Sequence, residues 1–525
     1  MLGSRRTSTD RPRRPSWLWG AITGLLGAGV LLGVAEAVAL LVDRSRSPLI
    51  AVGGFVIDIV PRPIKEFAIE TFGALDKIVL LASLGVGAAL AAALAGVIAR
   101  RSPYLGAGLL ALGGAAAIAA TVTRAGATWV SALPGLLGTA AGVVILLLLT
   151  ARLRRWDVVT ADPDAETPAG LERRSFLRFT AIAGASAVLL GIGGRAINAA
   201  TSSIAAIREA VRLPAPGSRV TVPAGAELDI PGLSPLYTPN AEFYRVDTAL
   251  VVPSIDPAQW RLTIDGRVGQ PLELGFDDLL ARGLDEYSIT LTCVSNFVGG
   301  DLVGSAKWLG VPVRDLLALA QPEPGADMVL SESVDGYTAS TPLDALTDPN
   351  RDAILAVAMN GEPLPLEHGF PVRMVVPGLY GYVSATKWLT RLTVTTFAED
   401  EAYWTPRGYS AEAPIKFSSR VDTPRTGEPV PAGPGVVAGV AWAQSVGISA
   451  VEVQIDDGDW QQAMLSTPVN RDTWVQWALP WEPEPGIHYI AVRAIDATGA
   501  VQVEERAPIA PDGSTGWQRV LVTVT

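Results

Sequence analysis

Cysteine and histidine are scarce in this 525-residue chain, which contains one cysteine, Cys293, and two histidines, His368 and His488. A single cysteine excludes an intramolecular disulfide, a cysteine-ligated zinc site and an iron–sulfur cluster. Both histidines lie in the second half of the chain, so they cannot supply paired axial ligands to a haem among the apolar segments of the first half. One thiolate can still ligate a metal that is held mostly by another group.

An excess of positive charge is also lacking. The formal net charge is -11, from 41 basic and 52 acidic residues. Proteins that bind nucleic acid carry a basic face that neutralises phosphates, so no nucleic-acid partner is expected. The chain is too long for one ordinary core, which predicts two or three folded units.

Long apolar runs dominate the first 200 residues, where Ala, Gly, Leu and Val leave little charge. A helix needs about 20 apolar residues to cross the hydrocarbon core of a bilayer. Five segments reach this length and predict an all-α transmembrane domain over residues 1–200: 17–42, 78–99, 104–122, 129–150 and 176–197. The shorter run 49–60 contains Asp58 and ends before Pro61 and Pro63, so it is predicted to be interfacial or re-entrant.

Arginines predict the orientation of these five helices, because basic loops stay in the cytoplasm. Three groups, before the first span and after the second and the fourth, fall on one side: Arg5, Arg6, Arg11, Arg13 and Arg14; Arg100 and Arg101; Arg152, Arg154 and Arg155. An odd number of spans then places everything after about residue 200 outside the cytoplasm. The sequence therefore predicts a multi-pass protein of the cytoplasmic membrane, with a cytoplasmic N-terminus and an extracytoplasmic C-terminal part.

The segment 173–178, Arg-Arg-Ser-Phe-Leu-Arg, precedes the fifth predicted span and resembles a twin-arginine export signal in an internal position. By composition alone, these arginines could serve only as cytoplasmic anchors of the span. The adjoining Phe-Leu-Arg favours the signal. Twin-arginine export moves folded proteins, so we expect the following domain to acquire a cofactor before it crosses.

Beyond residue 200, Pro, Trp, Asp and alternating strand patterns indicate a water-soluble part. Residues 201–230 are predicted to be a linker. Residues 231–424 combine short strands such as 260–264 with helical segments such as 276–281, which predicts a mixed α+β domain. After the Pro/Gly-rich segment 423–435, alternating stretches such as 451–455 predict an immunoglobulin-like β-sandwich over residues 425–525.

Five short motifs follow one another in the soluble part: Thr-Cys-Val-Ser-Asn at 292–296, Lys-Trp-Leu-Gly at 307–310, Asn-Gly-Glu-Pro-Leu-Pro at 360–365, His-Gly-Phe-Pro-Val-Arg at 368–373 and Lys-Trp-Leu at 387–389. Together they resemble the sulfite oxidase family of molybdopterin-dependent oxidoreductases. Several separated motifs in the right order are far more specific than one. The resemblance covers about residues 231–525 and identifies residues 425–525 as similar to the family's C-terminal dimerisation domain.

The resemblance implies a molybdenum site at Cys293. In this family the metal is held by two sulfurs of a pterin dithiolene, by oxo groups and by one protein thiolate, and a soft thiolate suits that metal. Gly299 and Gly300 in the same loop allow the backbone to approach a bulky cofactor. By residue type alone a lone cysteine is more often a small buried hydrophobic residue. The surrounding motif favours the metal ligand, and the expected cofactor is molybdenum–molybdopterin with one Mo, without haem or an iron–sulfur cluster in this chain.

Other site residues are carried over by motif position. His368 and Arg373 are implied to bind the pterin phosphate and ring. Arg245 and Tyr409 match an active-site arginine and tyrosine that would hold an oxyanion or the oxo ligand, so these two and Cys293 are the predicted catalytic residues. By residue type alone, a surface arginine and a half-buried tyrosine are equally good readings. The remaining implied cofactor contacts are Asn240, Tyr244, Asp335, Ser384, Thr386 and Lys387.

Two positions depart from the family pattern. Phe297 stands where an arginine follows the Asn of Cys-x-x-Asn, and Asp512 stands where another arginine precedes a glycine near the C-terminus. Charge-assisted hydrogen bonds contribute about 1.5–3 kcal/mol each. The loss of two cations and the gain of an anion therefore argue against sulfite as the substrate.

The predicted function is oxygen-atom transfer by a membrane-anchored molybdenum oxidoreductase, either reduction of an S- or N-oxide or oxidation of a sulfite-like or weakly charged small molecule. Electrons would pass through a separate membrane or soluble partner, and the C-terminal domain suggests a homodimer. The alternative is a non-catalytic membrane-anchored receptor or scaffold that retains the fold. Cys293, His368 and Arg373 favour the enzyme, because a scaffold needs neither a thiolate nor a phosphate ligand.

Overall fold

The computed structural model describes residues 17–42, 48–60, 64, 67, 71–72, 76–123, 129–161, 169–196 and 198–525. The chain divides into two compact units. One comprises Met1–Ser203 with Thr248–Val251, and the other comprises Ile204–Asp247 with Val252–Thr525. The first change of unit thus falls three residues after the predicted boundary at residue 200.

The first unit is helical. Its elements are α1 (Trp17–Val42), α2 (Pro48–Ile59), α3 (Asp76–Arg101), α4 (Pro103–Val122), a 3-10 turn (Trp129–Ala132), α5 (Leu133–Ala161) and α6 (Ala169–Ala196). Four stretches are long and apolar enough to cross a membrane: Trp17–Ala39, Ile78–Arg101, Pro103–Val122 and Trp129–Thr160. They correspond to the first four predicted spans. The 12 residues of α2 extend about 18 Å, too short to cross, as predicted for 49–60.

The fifth predicted span lies in α6 but is not among these four stretches. The side chains of α6 from residue 187 onward fall outside the described part of the chain. The number of spans, and with it the side of the membrane that holds the second unit, therefore stays a prediction.

Small residues let α1 and α3 approach closely. A Cβ atom on Gly24 of α1 would lie 1.9 Å from the carbonyl oxygen of Ala92 in α3, and one on Gly96 would lie 2.0 Å from that of Gly20. In lipid, helices associate largely through such close packing, because burial of apolar surface provides no drive. The Ala/Gly composition of these helices thus serves their packing as well as their hydrophobicity.

The ends of α3 and α5 meet on one side of this helical unit. Arg100 forms a bidentate ion pair with Asp157, with both N–O distances 2.9 Å. Trp156 packs beside Trp19 and Phe176, with ring centroids 5.5–6.0 Å apart within this trio. The start of α1 and the ends of α3 and α5 therefore share one side, as the arginine pattern predicts.

The second unit starts within α7 (Asn198–Ala210) and continues as sheets with short helices between the strands. The strands of its first part are β1 (Arg261–Gly266), β2 (Leu272–Gly275), β3 (Asp285–Thr292), β4 (Val303–Pro312), β5 (Met328–Ser333), β6 (Thr338–Pro342), β7 (Ile354–Met359), β8 (Glu362–Pro363), β9 (Arg373–Val375) and β10 (Leu389–Thr395). The helices are α8 (Phe276–Leu280), α9 (Val313–Ala320), α10 (Leu343–Thr347) and α11 (Gly381–Ser384). One sheet has the order β2-β1-β10-β5-β6, with β1 and β10 parallel, and the other the order β3-β4-β7-β8, with β9 paired to β7.

Strand β7 shows where the core of this part lies. All six of its residues are buried, which is typical of a strand covered on both faces. Leu355 and Val357 belong to one apolar cluster, whereas Ile354 and Ala356 belong to another. Because side chains alternate along a strand, β7 separates the two clusters. Its neighbours β4 and β9 lead to the predicted site.

The last part of the chain forms two further sheets around a common core. Its strands are β11 (Ser418–Thr423), β12 (Pro429–Val430), β13 (Gly435–Trp442), β14 (Ile448–Ile455), β15 (Gln461–Gln462), β16 (Met464–Leu465), β17 (Val475–Trp481), β18 (Gly486–Asp496) and β19 (Gln518–Val524). The sheet orders are β11-β13-β17-β16 and β12-β19-β18-β14-β15. Val437 and Trp477 of one sheet share a buried cluster with Val453 and Val522 of the other. The immunoglobulin-like class remains a prediction.

Two boundaries differ from the sequence prediction. Strand β11 pairs with β13, so the C-terminal sheets begin at Ser418 and not at residue 425. Pro424, which is predicted to lie before these sheets, comes directly after their first strand. The predicted linker 201–230 begins as helix α7, which contains neither Gly nor Pro to break it. Arg208 of this helix donates from Nε to the carbonyl oxygen of Leu364 at 2.8 Å. This part of the predicted linker is therefore packed against the second unit.

Candidate functional site

Cys293 directly follows β3 and starts a tight loop. Its side chain is buried, its N–H donates to the carbonyl oxygen of Leu302 at 2.9 Å, and its own carbonyl oxygen accepts from the N–H of Asn296 at 3.0 Å. Burial raises the pKa of the thiol, while hydrogen bonds from Ser295 and the charge of Lys387 act in the opposite direction. The backbone thus holds one buried thiol in a fixed place beside a cation.

Side chains of the C-terminal sheets hold this cysteine loop. Arg420 of β11 donates from Nη1 to the carbonyl oxygen of Gly300 at 2.8 Å and pairs through Nε with Asp422 at 2.6 Å. Ser514 donates to the carbonyl oxygen of Asn296 at 2.7 Å. The loop is therefore fixed by its own strands and also by residues more than 100 positions later in the chain.

Arg373 is a buried guanidinium at the start of β9. It donates from Nη1 to the carbonyl oxygen of His368 and from Nη2 to that of Ala385, both at 3.3 Å. Among the residues that the structure describes, no carboxylate pairs with it, and burial lowers its pKa to about 10. A buried cation without a counter-ion is costly, so this position is prepared for an anion.

Lys387 lies just before β10, close enough to Arg373 for the two charges to repel. Its Nζ donates to Asp247 Oδ2 at 2.7 Å and to the carbonyl oxygen of Glu367 at 3.1 Å. Burial lowers its pKa to about 8 in spite of Asp247. The same Oδ2 atom accepts from Nε of Arg245 at 2.8 Å, so the predicted catalytic arginine and the predicted cofactor lysine share one carboxylate.

His368 is buried in the 3-10 turn Leu366–His368. Burial and then the charges of Arg373 and Lys387 lower its pKa to about 4, so the imidazole is neutral at pH 7. Its Nε2 lies 3.2 Å from the carbonyl oxygen of Asn240, which requires the proton on Nε2 and leaves Nδ1 as an acceptor. An anion at Nδ1 would favour the imidazolium form.

Tyr244, Asn240 and Asp335 approach the same region from two loops. Burial raises the pKa of Tyr244, and the neighbouring Cys293 and Arg373 also act on it. The side chain of Asn240 is used within the protein, donating to Glu362 Oε1 at 2.7 Å. The Asp335 carboxylate accepts from the N–H of Tyr337 at 3.3 Å in the turn between β5 and β6.

Ser384 and Thr386 are buried, and their hydroxyls bond within the protein. Ser384 donates to the carbonyl oxygens of Leu379 and Tyr380 at 3.0 and 2.9 Å. Thr386 Oγ1 lies 2.7 Å from Ser331 Oγ. In this arrangement the two side chains shape the segment that carries Lys387, and their direct contact with a cofactor stays a prediction.

Tyr409 follows the 3-10 turn Thr405–Arg407. Its ring lies 5.5 Å from that of Tyr382 and 5.2 Å from that of Trp404. Tyr382 in turn donates from its hydroxyl to the carbonyl oxygen of Ser410 at 2.7 Å. The predicted catalytic tyrosine is thus part of an aromatic group beside α11.

Sequence reasoning missed Asp247, Tyr337 and Tyr380. Burial raises the pKa of both tyrosines, and Cys293 is close enough to contribute to each shift. The sequence Gly-Leu-Tyr-Gly-Tyr at 378–382, which lies between two of the family motifs, was a usable signal for Tyr380. No local pattern marks Asp247, because its partner Lys387 lies 140 residues away.

Comparison with known proteins extends these observations. Residues 249–404 match the model of the oxidoreductase molybdopterin binding domain. Chicken (Gallus gallus) sulfite oxidase is 32% identical over 333 residues, covering 54% of this chain and 72% of that enzyme. Human (Homo sapiens) mitochondrial sulfite oxidase is 32% identical over 339 residues, covering 55% and 62%.

Among solved structures, the sulfane dehydrogenase SoxCD from Paracoccus pantotrophus aligns with a TM-score of 0.49 and 23% identity, covering 58% of this chain and 86% of that one. That likeness is too weak to support a functional inference. The sequence relatives and the domain match suffice: this chain belongs to the sulfite oxidase family and is an oxidoreductase with a molybdopterin-binding domain.

Proposed function

We propose that this chain is a membrane-anchored molybdenum-cofactor enzyme that transfers an oxygen atom to or from a small, weakly charged organic molecule. The observation that carries the proposal is Arg373, a buried guanidinium without a carboxylate partner among the described residues. It shares the neighbour Tyr244 with the buried thiol of Cys293. A thiolate ligand and an anion site side by side are what a metal bound to a phosphorylated pterin requires.

The residues present fit this cofactor. Cys293 offers the soft ligand that molybdenum prefers, and Arg373 with Lys387 offers positive charge for a phosphate. Two buried hydroxyls beside the predicted loops, Thr292 Oγ1 and Ser333 Oγ, have no hydrogen-bond partner among the described residues. Buried polar atoms are normally satisfied, so these orphan hydroxyls are consistent with a polar group that completes them.

The bound cofactor would supply oxygen-atom transfer coupled to a two-electron change. Cys293 would ligate the metal, and Arg373 and Lys387 would hold the phosphate of the cofactor. His368 would take up its second proton beside that phosphate. Asp247 keeps Arg245 and Lys387 together, so that Arg245 can turn its remaining donors to a substrate oxygen.

The substrate side of the site argues for a molecule without net negative charge. Phe297, which follows the Asn of the cysteine motif, is 61% exposed and offers no charge. Asp512 forms an ion pair with Lys416 at 3.0 Å. We therefore favour reduction of an S- or N-oxide, in which the oxide takes up two electrons and two protons and yields the thioether or amine and water. Oxidation of a weakly charged substrate is the same transfer in reverse.

The location that we propose follows the charge pattern. Five spans place the second unit outside the cytoplasmic membrane, where a separate membrane or soluble protein exchanges electrons with it, and the C-terminal sheets form a homodimer. Replacement of Arg173 and Arg174 by lysine keeps the charge but removes the guanidinium pair of the export motif. External protease should then cleave wild type outside intact cells and spare the variant. Equal cleavage of wild type and variant would mean that these arginines only anchor the span on the cytoplasmic side.

The experiment that tests the function is elemental analysis of purified full-length protein for molybdenum, with release and identification of its pterin. We expect one Mo per chain, and turnover of uncharged sulfoxides or N-oxides with a reduced viologen as electron donor. Protein without molybdenum from cells that make the cofactor would favour the receptor or scaffold. Faster oxidation of sulfite than turnover of any uncharged oxide would overturn the substrate class.

A further inference from the structure

One charged pair lies near the cysteine loop and includes neither Arg373 nor Lys387. Lys416 Nζ lies 3.0 Å from Asp512 Oδ2, and the two side chains are 35% and 40% exposed. Both are therefore accessible to a solute, unlike Arg373 or Lys387. We call Lys416 and Asp512 the rim pair.

Tyr380 connects the rim pair to the site. The backbone N–H of Lys416 donates to Tyr380 Oη at 3.3 Å. The pKa of Tyr380 is raised to about 12, chiefly by burial, and both Asp512 and Cys293 are close enough to contribute to this rise. The rim pair and the thiol thus lie near the same phenol ring.

The position of Asp512 is also fixed from the other side. Gly513 has a φ of +102°, and a Cβ atom there would lie 2.3 Å from Tyr380 Oη, so only glycine fits. Ser514 donates to the carbonyl oxygen of Asn296 in the cysteine loop, and the carbonyl oxygen of Pro511 accepts from the N–H of Ser410 at 3.0 Å. The backbone on both sides of Asp512 is therefore held in place beside the lysine.

We propose that the rim pair determines substrate charge: Asp512 neutralises Lys416, so that the site admits uncharged oxides and binds oxyanions weakly. This inference rests on the proposed function, because it concerns the substrate of that site. A lysine at this place would otherwise be a good oxyanion partner, since its ammonium group is a compact, mobile donor. Asp512 is thus a specificity-determining residue, and Lys416 is the anion site that it suppresses.

The test measures binding of sulfate, as a non-reacting oxyanion, to full-length molybdenum-loaded protein by isothermal titration calorimetry at low ionic strength. Asp512→Asn leaves the shape of the side chain but releases Lys416, and we expect sulfate to bind about tenfold more tightly, at the lower end of what one charge-assisted hydrogen bond contributes. Asp512→Asn combined with Lys416→Met should return the affinity to that of wild type. Lys416→Met alone leaves an unpaired carboxylate, so its affinity should fall below wild type.

The matched control is Glu504→Gln, which releases Arg519 from an exposed pair of the same length, 3.0 Å, on the C-terminal sheets. Its sulfate affinity should equal that of wild type. If Asp512→Asn binds sulfate no more tightly than this control, or if the double variant keeps the gain, the rim pair does not determine anion binding. Molybdenum content and sulfoxide reduction measured on the same wild-type preparation test the proposed function separately, since sulfate binding does not depend on turnover.

Discussion

The substitution Arg373→Met tests whether this arginine serves the fold or binds an anion. Replacement of an arginine that serves the fold should destabilise cofactor-free protein, whereas replacement of an anion-binding arginine should stabilise it. Methionine has a similar length and no charge. In cofactor-free protein the guanidinium is buried with no described carboxylate partner, and burial lowers its pKa from 12.5 to about 10. That difference corresponds to a cost of about 3 kcal/mol for the charged form.

The substitution also removes something favourable. Two donors to the carbonyl oxygens of His368 and Ala385 are lost, both at 3.3 Å, and a third, from Nε to the carbonyl oxygen of Met374, is longer still at 3.5 Å. Charge-assisted hydrogen bonds of full strength are about 2.7–2.9 Å long, so the two at 3.3 Å are taken to contribute about 1 kcal/mol each, below the usual range for charged donors. The net result for cofactor-free protein is a gain of about 1 kcal/mol, hence a melting temperature higher by about 2–4 °C. The stability of cofactor-loaded protein should fall instead, because a buried phosphate left without its cation costs about 3–5 kcal/mol.

The assay is thermal unfolding of the variant and wild type, each purified from cells with and without the ability to make the pterin cofactor. We expect Arg373→Met to melt higher than wild type without cofactor and to retain little molybdenum when cofactor is supplied. Arg391→Met is the matched control, since Arg391 forms an exposed ion pair with Asp265 and should change neither quantity by much. A variant that melts lower in cofactor-free form and keeps its molybdenum would refute the anion site.

Three further outcomes follow from the same contacts. Cys293→Ser should abolish molybdenum binding by elemental analysis, because a hydroxyl is a hard ligand that stays protonated at neutral pH; a fully loaded serine variant would contradict the ligand assignment. Arg420→Met leaves Asp422 buried without its ion-pair partner, so the free energy of unfolding should fall by about 3 kcal/mol. The double variant with Asp422→Asn should recover most of this loss. No recovery would mean that packing, not charge, explains it. Asp456 raises the pKa of His488, so their pair stabilises the antiparallel strands β14 and β18 below pH 6.5 and loses this effect as the pH rises through the raised pKa. Hydrogen exchange of these two strands, corrected for intrinsic rates, should be faster at high pH in wild type and pH-independent in His488→Gln.

Regular elements were predictable from sequence where one residue property decides them. The four apolar helices that are long enough to cross a membrane follow from length and composition, and β14 and β18 follow from their alternation. The C-terminal boundary was wrong for an equally local reason: Pro424 and the glycines after it read as a linker, although the strand before them, β11, pairs with β13 through residues 15 to 24 positions away.

The site was predictable only in part, because motifs reveal residue types and not their counter-ions. Arg373 and Lys387 look alike in sequence, because each is a cation within one of the family motifs. In the structure Lys387 is paired with Asp247, 140 residues away, whereas Arg373 is paired with no described carboxylate. That difference decides which of the two cations can bind an added anion, and the spacing of motifs in the sequence does not reveal it.

The cysteine loop is held by residues that lie much later in the chain. Its carbonyl groups at Gly300 and Asn296 accept from Arg420 and Ser514, so the thiol is held in place only once the C-terminal sheets have formed around it. The C-terminal sheets are thereby also part of the proposed metal site. We therefore expect the site to be complete only after the chain has folded through residue 514. Export of the folded domain, which we propose from the arginine motif at 173–178, would satisfy that condition.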